Sequence, residues 1–205
     1  MVYSIMIAFL TAYLLGNLNG AVCVSALIAD DDVRKHGSGN AGLTKFIRSY
    51  GGGSALYVVI IDAGKAVVAC LAAALILTPY DYALEGMVFG GLAVMLGHSF
   101  PALLGFKGGK GILSGLFVAL MVDWRIAVLI LVVFFVVYLT TQYVSLASIL
   151  AATAFGAGFA VFYYDNPSVL VGGVIMGALA VFMHRKNIVR LLKGEEPKTN
   201  LFKKM

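Results

Sequence analysis

Long apolar runs alternate with short polar segments along the whole chain. A helix rises about 1.5 Å per residue, so roughly 20 apolar residues cross a hydrocarbon core of about 30 Å. The pattern predicts an all-α polytopic membrane protein with seven transmembrane helices, some of them short, and residues 1–205 forming a single integral membrane domain. The predicted spans are residues 3–29, 54–77, 82–96, 112–122, 126–141, 144–163 and 168–183.

The charged residues collect in alternate loops. If the N-terminus lies outside, thirteen of the 15 Lys and Arg residues fall inside, whereas the outer loops carry four acids and Arg125. The positive-inside rule favours this arrangement, so we expect the N-terminus outside and the C-terminus inside. The predicted number of transmembrane helices depends on a turn at Asp123, Trp124 and Arg125. Without that turn, the number falls to five or six.

The composition excludes several classes of protein. The chain is 61% hydrophobic and 12% charged, against about 25% charged residues in soluble domains. A cytosolic enzyme, a disordered tail and an ordinary nucleic-acid-binding domain are therefore excluded, although the net charge is +5. Cys23 and Cys70 lie inside apolar runs and offer neither a disulfide framework nor metal-ligand spacing.

The first loop is rich in small residues, which bring backbone N–H groups close to a ligand. If a helix begins near Gly39, then Asn40, Thr44 and Arg48 share one face. Ser38 would cap that helix or contact an anion. The alternative is a polar turn whose basic residues only follow the positive-inside rule.

A second loop, FKGGKG, leads directly into the short fourth helix. Lys107, Gly108, Gly109, Lys110 and Gly111 lack the spacing of a Walker A loop. Glycine N–H groups, two ammonium groups and a helix N-terminus can nevertheless hold a phosphate. A flexible basic loop is the alternative.

The last apolar run ends in a basic helix. His184, Asn187 and Arg190 are spaced by three and lie along one face, although a histidine at a membrane interface is often only an interfacial polar residue. Asp62 and Lys65, inside the second run, are best explained as a structural ion pair, because isolated charges there cost roughly 3 kcal/mol each.

Asparagine and serine side chains inside the apolar runs are candidates for helix–helix hydrogen bonds; these are Asn17, Asn19 and Ser145. The three basic segments all lie on the predicted inner face. Together they indicate a membrane-embedded site that joins an anionic soluble substrate to a lipid.

The segments GSGNAGLTKFIRSYG, GHSFPALLGFKGGKGI and HRKNIVRLLKGEE resemble, in order and spacing, the three motifs of the bacterial acyl-phosphate:glycerol-3-phosphate acyltransferases. The stretches YVSLASI and IIDAGK are similar to further family segments, so the resemblance covers nearly the whole chain. Two departures stand out. Leu43-Thr44-Lys45 replaces the usual Ala-Thr-Asn, and Gln142 stands where an arginine usually precedes YVSL.

This resemblance implies transfer of a fatty acyl group from acyl-phosphate to the 1-hydroxyl of sn-glycerol 3-phosphate. The products would be lysophosphatidic acid and phosphate, in the first step of phospholipid synthesis. The family uses no metal, cofactor, acyl-CoA or acyl carrier protein, and has seven membrane helices with the N-terminus outside. By resemblance, one phosphate would be held by Ser38, Arg48 and Lys107. The other phosphate would be held by the loop of Gly108, Gly109, Lys110 and Gly111. Ser145 would add a polar contact.

By the same resemblance, His184 and Asn187 would lie at the attacking hydroxyl. Either His184 or the phosphate of the acceptor substrate could take the proton, and the sequence does not choose. The implied setting is a monomer among the lipids of the bacterial cytoplasmic membrane, with its site near the cytoplasmic face. An anion transporter, a phosphotransferase that uses an activated lipid, and a purely structural protein remain as alternatives.

Overall fold

The computed structural model describes residues 1–36 and 39–199, and the all-helical prediction is confirmed for them. Ser38, Lys203 and Lys204 lie outside the described residues. The α-helices are α1 Val2–Gly16, α2 Gly20–Ala29, α3 Leu43–Tyr50, α4 Ala55–Leu77, α5 Ala83–Ser99, α6 Ile112–Val122, α7 Trp124–Thr141, α8 Val144–Phe162, α9 Pro167–Met183 and α10 Arg185–Leu192.

Five helical segments of the described chain are long and apolar enough to cross a membrane: Val2–Ala29, Ala55–Tyr80, Ala83–Leu104, Trp124–Thr141 and Val144–Phe162. A sixth candidate is the pair α9 and α10, which bends by 55° between its two parts. Helix α6 is apolar but shorter, with 11 residues. A membrane-spanning bundle of at least five segments is therefore built into this sequence.

The prediction of one continuous helix over residues 3–29 is wrong in detail, because the chain breaks after Gly16. Asn19 caps α2 by accepting a hydrogen bond from the Val22 N–H at 3.1 Å, and its amide donates to the Ala41 carbonyl at 3.1 Å. Asn17 accepts from the Leu103 N–H at 3.0 Å. Asn19 thus satisfies backbone groups at the break and in the first loop. Asn17 bonds the short helical turn at Leu103, within the segment Ala83–Leu104, so the predicted hydrogen bond between helical segments is present for this residue.

The expected helix start near Gly39 is also wrong. Gly39 has a φ of +71°, in the left-handed region, and Gly42 is the extended residue before α3 begins at Leu43. Asn40 therefore precedes the helix, and Gly42 occupies its N-cap position.

Two groups of helices pack side by side. Helices α1, α4 and α5 contact one another, as do α7 with α8 and α8 with α9, while α5 meets α9 across the middle. Close approach at the α1–α5 contact requires glycine, because a Cβ on Gly16 would lie 2.8 Å from the Cα of Gly97. Helix α6 contacts α4, α5 and α7, so it lies against both groups.

The predicted turn between the fourth and fifth runs is confirmed. Helix α6 ends at Val122, and the Asp123 carboxylate accepts from the Arg125 N–H at 2.9 Å to cap α7. Its other oxygen pairs with the Arg125 guanidinium at 2.6 Å.

Candidate active site

A cavity of about 1110 Å³ opens where α3, the glycine-rich loop and α10 meet the ends of α5 to α9. One end is polar and basic, and the other is enclosed by apolar side chains. The apolar end includes Met95, Leu116, Ile130, Phe134, Ala152, Phe155 and Met176. A ligand that fills it would need both an anionic head and an apolar tail.

The structure brings together most residues that the sequence singled out. Eleven of them line the cavity: Asn40, Thr44, Arg48, Lys107, Gly108, Lys110, Gly111, Ser145, His184, Asn187 and Arg190. Gly109 is buried and is not among the residues that line the cavity, and its N–H donates to the His98 carbonyl at 3.0 Å.

The glycine-rich loop is held in place by backbone hydrogen bonds. The Ala41 N–H donates to the Gly108 carbonyl at 3.3 Å, which joins this loop to the first one. Gly111, with a φ of +78°, immediately precedes α6 and provides no side-chain cap. The first N–H groups of α6 therefore remain available to an anion, as at other helix N-termini.

His184 sits at the corner between α9 and α10 and is only 2% exposed. Its Nδ1 lies 2.8 Å from the Ala180 carbonyl, which can only accept, so Nδ1 carries the proton. In the neutral imidazole, Nε2 is then an acceptor within a residue that lines the cavity. The backbone thus prepares His184 to receive a proton from a ligand.

A chain of hydrogen bonds runs across the basic end. The Lys110 ammonium donates to the Asn187 Oδ1 at 2.5 Å, and the Asn187 amide donates to Glu196 at 2.8 Å. The Arg190 Nε donates to the other Glu196 oxygen at 2.6 Å. This arrangement fixes the orientation of the Asn187 amide and the Arg190 guanidinium.

Residues after α10 return over the cavity, which sequence reasoning did not foresee. The Arg48 guanidinium donates to the Thr199 hydroxyl. The Tyr138 hydroxyl donates to the Thr199 carbonyl at 3.0 Å. Glu196 and Thr199 were missed because a short acidic segment after a basic helix resembles a solvated tail. The sequence did contain one indication for Glu196, because this residue ends the segment HRKNIVRLLKGEE, which resembles a family motif.

Burial and mutual repulsion perturb the cations. Burial lowers the pKa of Lys110 to about 8; the positive charges of Arg190 and Arg48 act in the same direction, and Glu196 opposes them. Burial and the charge of Arg48 also lower the pKa of Lys45, whose ammonium is buried without a hydrogen-bond partner among the described residues. The site therefore carries positive charge that a bound anion would stabilise.

Comparison with known proteins gives the family. The sequence pattern of the glycerol-3-phosphate acyltransferases matches residues 6–194. The glycerol-3-phosphate acyltransferase of Mesorhizobium japonicum is 35% identical over 97% of each chain, and that of Macrococcus caseolyticus is 36% identical over 98% of this chain and 99% of its own. The chain belongs to the glycerol-3-phosphate acyltransferase family.

Solved structures agree with this membership. PlsY (YgiH), an integral membrane glycerol 3-phosphate acyltransferase, is 32% identical in its glycerol 3-phosphate form, with a TM-score of 0.84 over 98% of both chains. Its lysophosphatidic acid form gives 33% identity and a TM-score of 0.82 over 96% of both chains. This family member is therefore a multi-pass membrane acyltransferase, and the transporter and structural alternatives fall away.

Proposed function

We propose that this acyltransferase moves a fatty acyl group from acyl-phosphate to the 1-hydroxyl of sn-glycerol 3-phosphate. The hydroxyl oxygen attacks the acyl carbon, the bond from that carbon to the phosphate oxygen breaks, and phosphate leaves with the electron pair. The products are lysophosphatidic acid and inorganic phosphate. A relative crystallised in glycerol 3-phosphate and lysophosphatidic acid forms supports this acceptor and this product.

The observation that carries the proposal is the continuity of the two ends of the cavity. Arg48, Lys110 and Arg190 line the same space as Phe155 and Met176. A soluble anion and an apolar chain can therefore meet at one point, which is where the reacting atoms must be. An acyl-phosphate carries both properties in one molecule, whereas glycerol 3-phosphate needs only the basic end.

The protein's main task would be to hold two anions side by side. Acyl-phosphate is a mixed anhydride with a good leaving group, so the barrier lies in bringing the substrates together and offsetting their repulsion. Arg48 and Lys107, with Ser38, would bind one phosphate. Gly108, Lys110 and Gly111, with the α6 N-terminus, would bind the other, and Ser145 would add a hydroxyl contact. Because Gly109 is buried between two residues that line the cavity, its part would be to shape the loop.

His184 and Asn187 would act at the attacking hydroxyl. With Nδ1 committed to the Ala180 carbonyl, Nε2 is the atom that would accept the hydroxyl proton and pass it to the departing phosphate. Asn187, oriented by Lys110 and Glu196, would position the same hydroxyl. The competing route uses the acceptor's own phosphate as base, and the pH dependence of a His184 variant separates the two.

The proposal includes the topology. Counting α6 and the bent α9–α10 pair as crossings gives seven, with the N-terminus outside and the basic loops at the cytoplasmic face. The Lys110, Asn187 and Arg190 side chains would then meet water-soluble glycerol 3-phosphate directly from the cytoplasm. The setting would be the bacterial cytoplasmic membrane, with the protein working as a monomer and with no metal or cofactor.

The direct test supplies purified protein in detergent or lipid mesophase with synthetic palmitoyl-phosphate and glycerol 3-phosphate, in the presence of EDTA. We expect phosphate release that depends on glycerol 3-phosphate and matches the lysophosphatidic acid formed. Palmitoyl-CoA in place of palmitoyl-phosphate should give no product. Turnover with palmitoyl-CoA alone, or a requirement for a divalent metal, would overturn the assignment of the donor.

A further inference from the structure

Three buried polar side chains next to the cavity have no part in the proposed reaction. Asp62 and Lys65 lie on α4, His98 lies near the end of α5, and their side chains are 2–5% exposed. The Lys65 ammonium contacts the Asp62 carboxylate at 2.7 Å, the Leu18 carbonyl at 2.5 Å and the His98 Nδ1 at 2.7 Å. The Gly16 carbonyl is a fourth and longer contact, at 3.4 Å, so every proton of this ammonium has an acceptor.

This geometry selects one tautomer of His98. An ammonium can only donate, so the His98 Nδ1 must accept, and the proton of the neutral ring must sit on Nε2. The Asp62 carboxylate pairs with the Lys65 ammonium at 2.7 Å, and it is itself fixed by the Gly20 N–H, which donates to it at 3.1 Å. The Asp62 carboxylate is 3.6 Å from His98 Nδ1, beyond hydrogen-bond distance, so Lys65 is the group that sets the tautomer.

The fixed Nε2–H is directed at the glycine-rich loop. His98 lines the cavity, and a Cβ on Gly109 would collide with its Nε2. The His98 carbonyl also accepts from the Gly109 N–H at 3.0 Å, so side chain and backbone both contact the loop. The ring is therefore a neutral donor at the wall beside Gly108 and Lys110.

We propose that His98 is a further substrate-binding residue whose Nε2–H donates to the phosphate held by the glycine-rich loop, and that Lys65 and Asp62 are positioning residues that fix its tautomer. This inference rests on the proposed function in that it takes the loop as a phosphate site. A neutral donor suits this place, because a further cation next to Lys110 would add repulsion among the cations of the site.

Two substitutions separate the two ring nitrogens. His98→Asn places a carbonyl near the position of Nδ1, so it keeps an acceptor for Lys65 but removes the donor near the loop. His98→Gln places an amide near the position of Nε2, so it keeps the donor but loses the partner of Lys65. We expect His98→Asn to raise the KM of one phosphate substrate about tenfold at an unchanged melting temperature.

His98→Gln should show the reverse pattern, with a lower melting temperature and a smaller change in KM. Rescue of the KM by glutamine but not by asparagine is a result that a merely structural role would not produce. Unchanged KM values for both substrates in a folded His98→Asn protein would overturn the proposal.

The wild-type protein gives a second test that needs neither turnover nor a His98 variant. The chain has three histidines, so 15N-histidine NMR yields few signals, and those of His36 and His184 can be assigned from His36→Asn and His184→Gln. We expect His98 as the Nε2–H tautomer and His184 as the Nδ1–H tautomer. Saturating inorganic phosphate or glycerol 3-phosphate should shift the His98 Nε2 signal.

A charged His98, an Nδ1–H tautomer, or an Nε2 signal unmoved by either anion would each overturn the proposal. These outcomes are distinct from failure of the proposed function. If acyl-phosphate is not the donor, wild-type turnover is absent while the anion-dependent shift of His98 remains.

Discussion

Two polar clusters meet at His98, and they differ in how their charges are satisfied. In the network of Asp62, Lys65 and His98, one anion faces one cation, and Lys65 donates each of its protons to an acceptor inside the protein. At the basic end of the cavity, Lys45, Arg48, Lys107, Lys110 and Arg190 face Glu196 as the acid at that end among the described residues. One cluster is neutral and closed, whereas the other has an excess of positive charge.

The difference shows what each cluster is for. A charge inside a membrane protein is tolerated when a partner removes most of its desolvation cost, and the Asp62–Lys65 pair meets that condition without a ligand. Lys110 and Lys45 in the cavity do not, because burial and repulsion lower the pKa of both side chains. We infer that the network contributes to folding and the cavity is completed by a bound anion. Substitutions of Asp62 or Lys65 should therefore lower stability, whereas substitutions of the cavity cations should lower activity without lowering stability.

His184→Gln should give the largest effect on activity. It removes the Nε2 acceptor at the proposed hydroxyl site, and general base catalysis contributes roughly 10²–10⁴-fold. We expect kcat to fall by about that factor while the KM of glycerol 3-phosphate changes little. The measurement is the pH dependence of kcat with palmitoyl-phosphate as donor. A rate near that of the wild type, with an unaltered pH profile, would favour the substrate's own phosphate as the base.

Lys65→Met should give the largest effect on stability. Removing one partner of a buried ion pair leaves the other charge without compensation, at a cost of about 3–5 kcal/mol. Thermal unfolding in detergent should show the loss, and Asp62→Asn combined with Lys65→Met should recover much of it. If the single variant melts at the wild-type temperature, then the network is not structural.

Unlike Lys65→Met, the variants Arg48→Ala and Lys107→Ala should lower activity without lowering thermal stability. Each removes a charge-assisted contact to a phosphate, and we expect kcat/KM to fall at least tenfold, equivalent to roughly 1.4 kcal/mol or more. The melting temperature measured without substrate should not fall, because removing one cation relieves the repulsion among the cations of the cavity. Near-normal rates at subsaturating substrate would remove these residues from the site.

Lys110 should introduce a pH dependence of binding. Because burial lowers the pKa of Lys110 to about 8, its ammonium is present below that pH and is lost as the pH rises through it. We expect the KM of a phosphate substrate to increase above pH 8, by up to tenfold per unit. Lys110→Arg is the matched control, since arginine stays charged and should flatten this limb. An identical alkaline limb in the arginine variant would assign the effect to another group.

The basic residues of the C-terminal tail should matter least. The Lys198 ammonium lies 5.4 Å from the centre of the Tyr143 ring, and Lys203 and Lys204 complete this set. We expect the triple alanine variant to keep kcat/KM within about twofold, because none of these three charges belongs to the proposed phosphate-binding set. A large loss of activity in that variant would show that positive charges outside the cavity also contribute to substrate binding.

Much of the helical layout follows from the order of residues alone. An apolar run in lipid must satisfy its own backbone hydrogen bonds, and it does so as a helix. The bounds of α6 therefore agree with the prediction, as does the turn at Asp123, where a carboxylate caps the next helix. The break after Gly16 escaped this reasoning because the asparagines there are satisfied by Ala41 and Leu103, far along the chain.

The chemical character of the site was likewise present in the sequence, since glycine, lysine, arginine and histidine at those spacings favour phosphate binding. What only the tertiary structure decided was which atoms face one another. The Ala180 carbonyl and the Lys65 ammonium impose opposite tautomers on His184 and His98, and the returning tail brings Glu196 to Asn187 and Arg190. The physical reason is that a hydrogen bond depends on distances of a few ångströms between residues that can lie far apart along the chain.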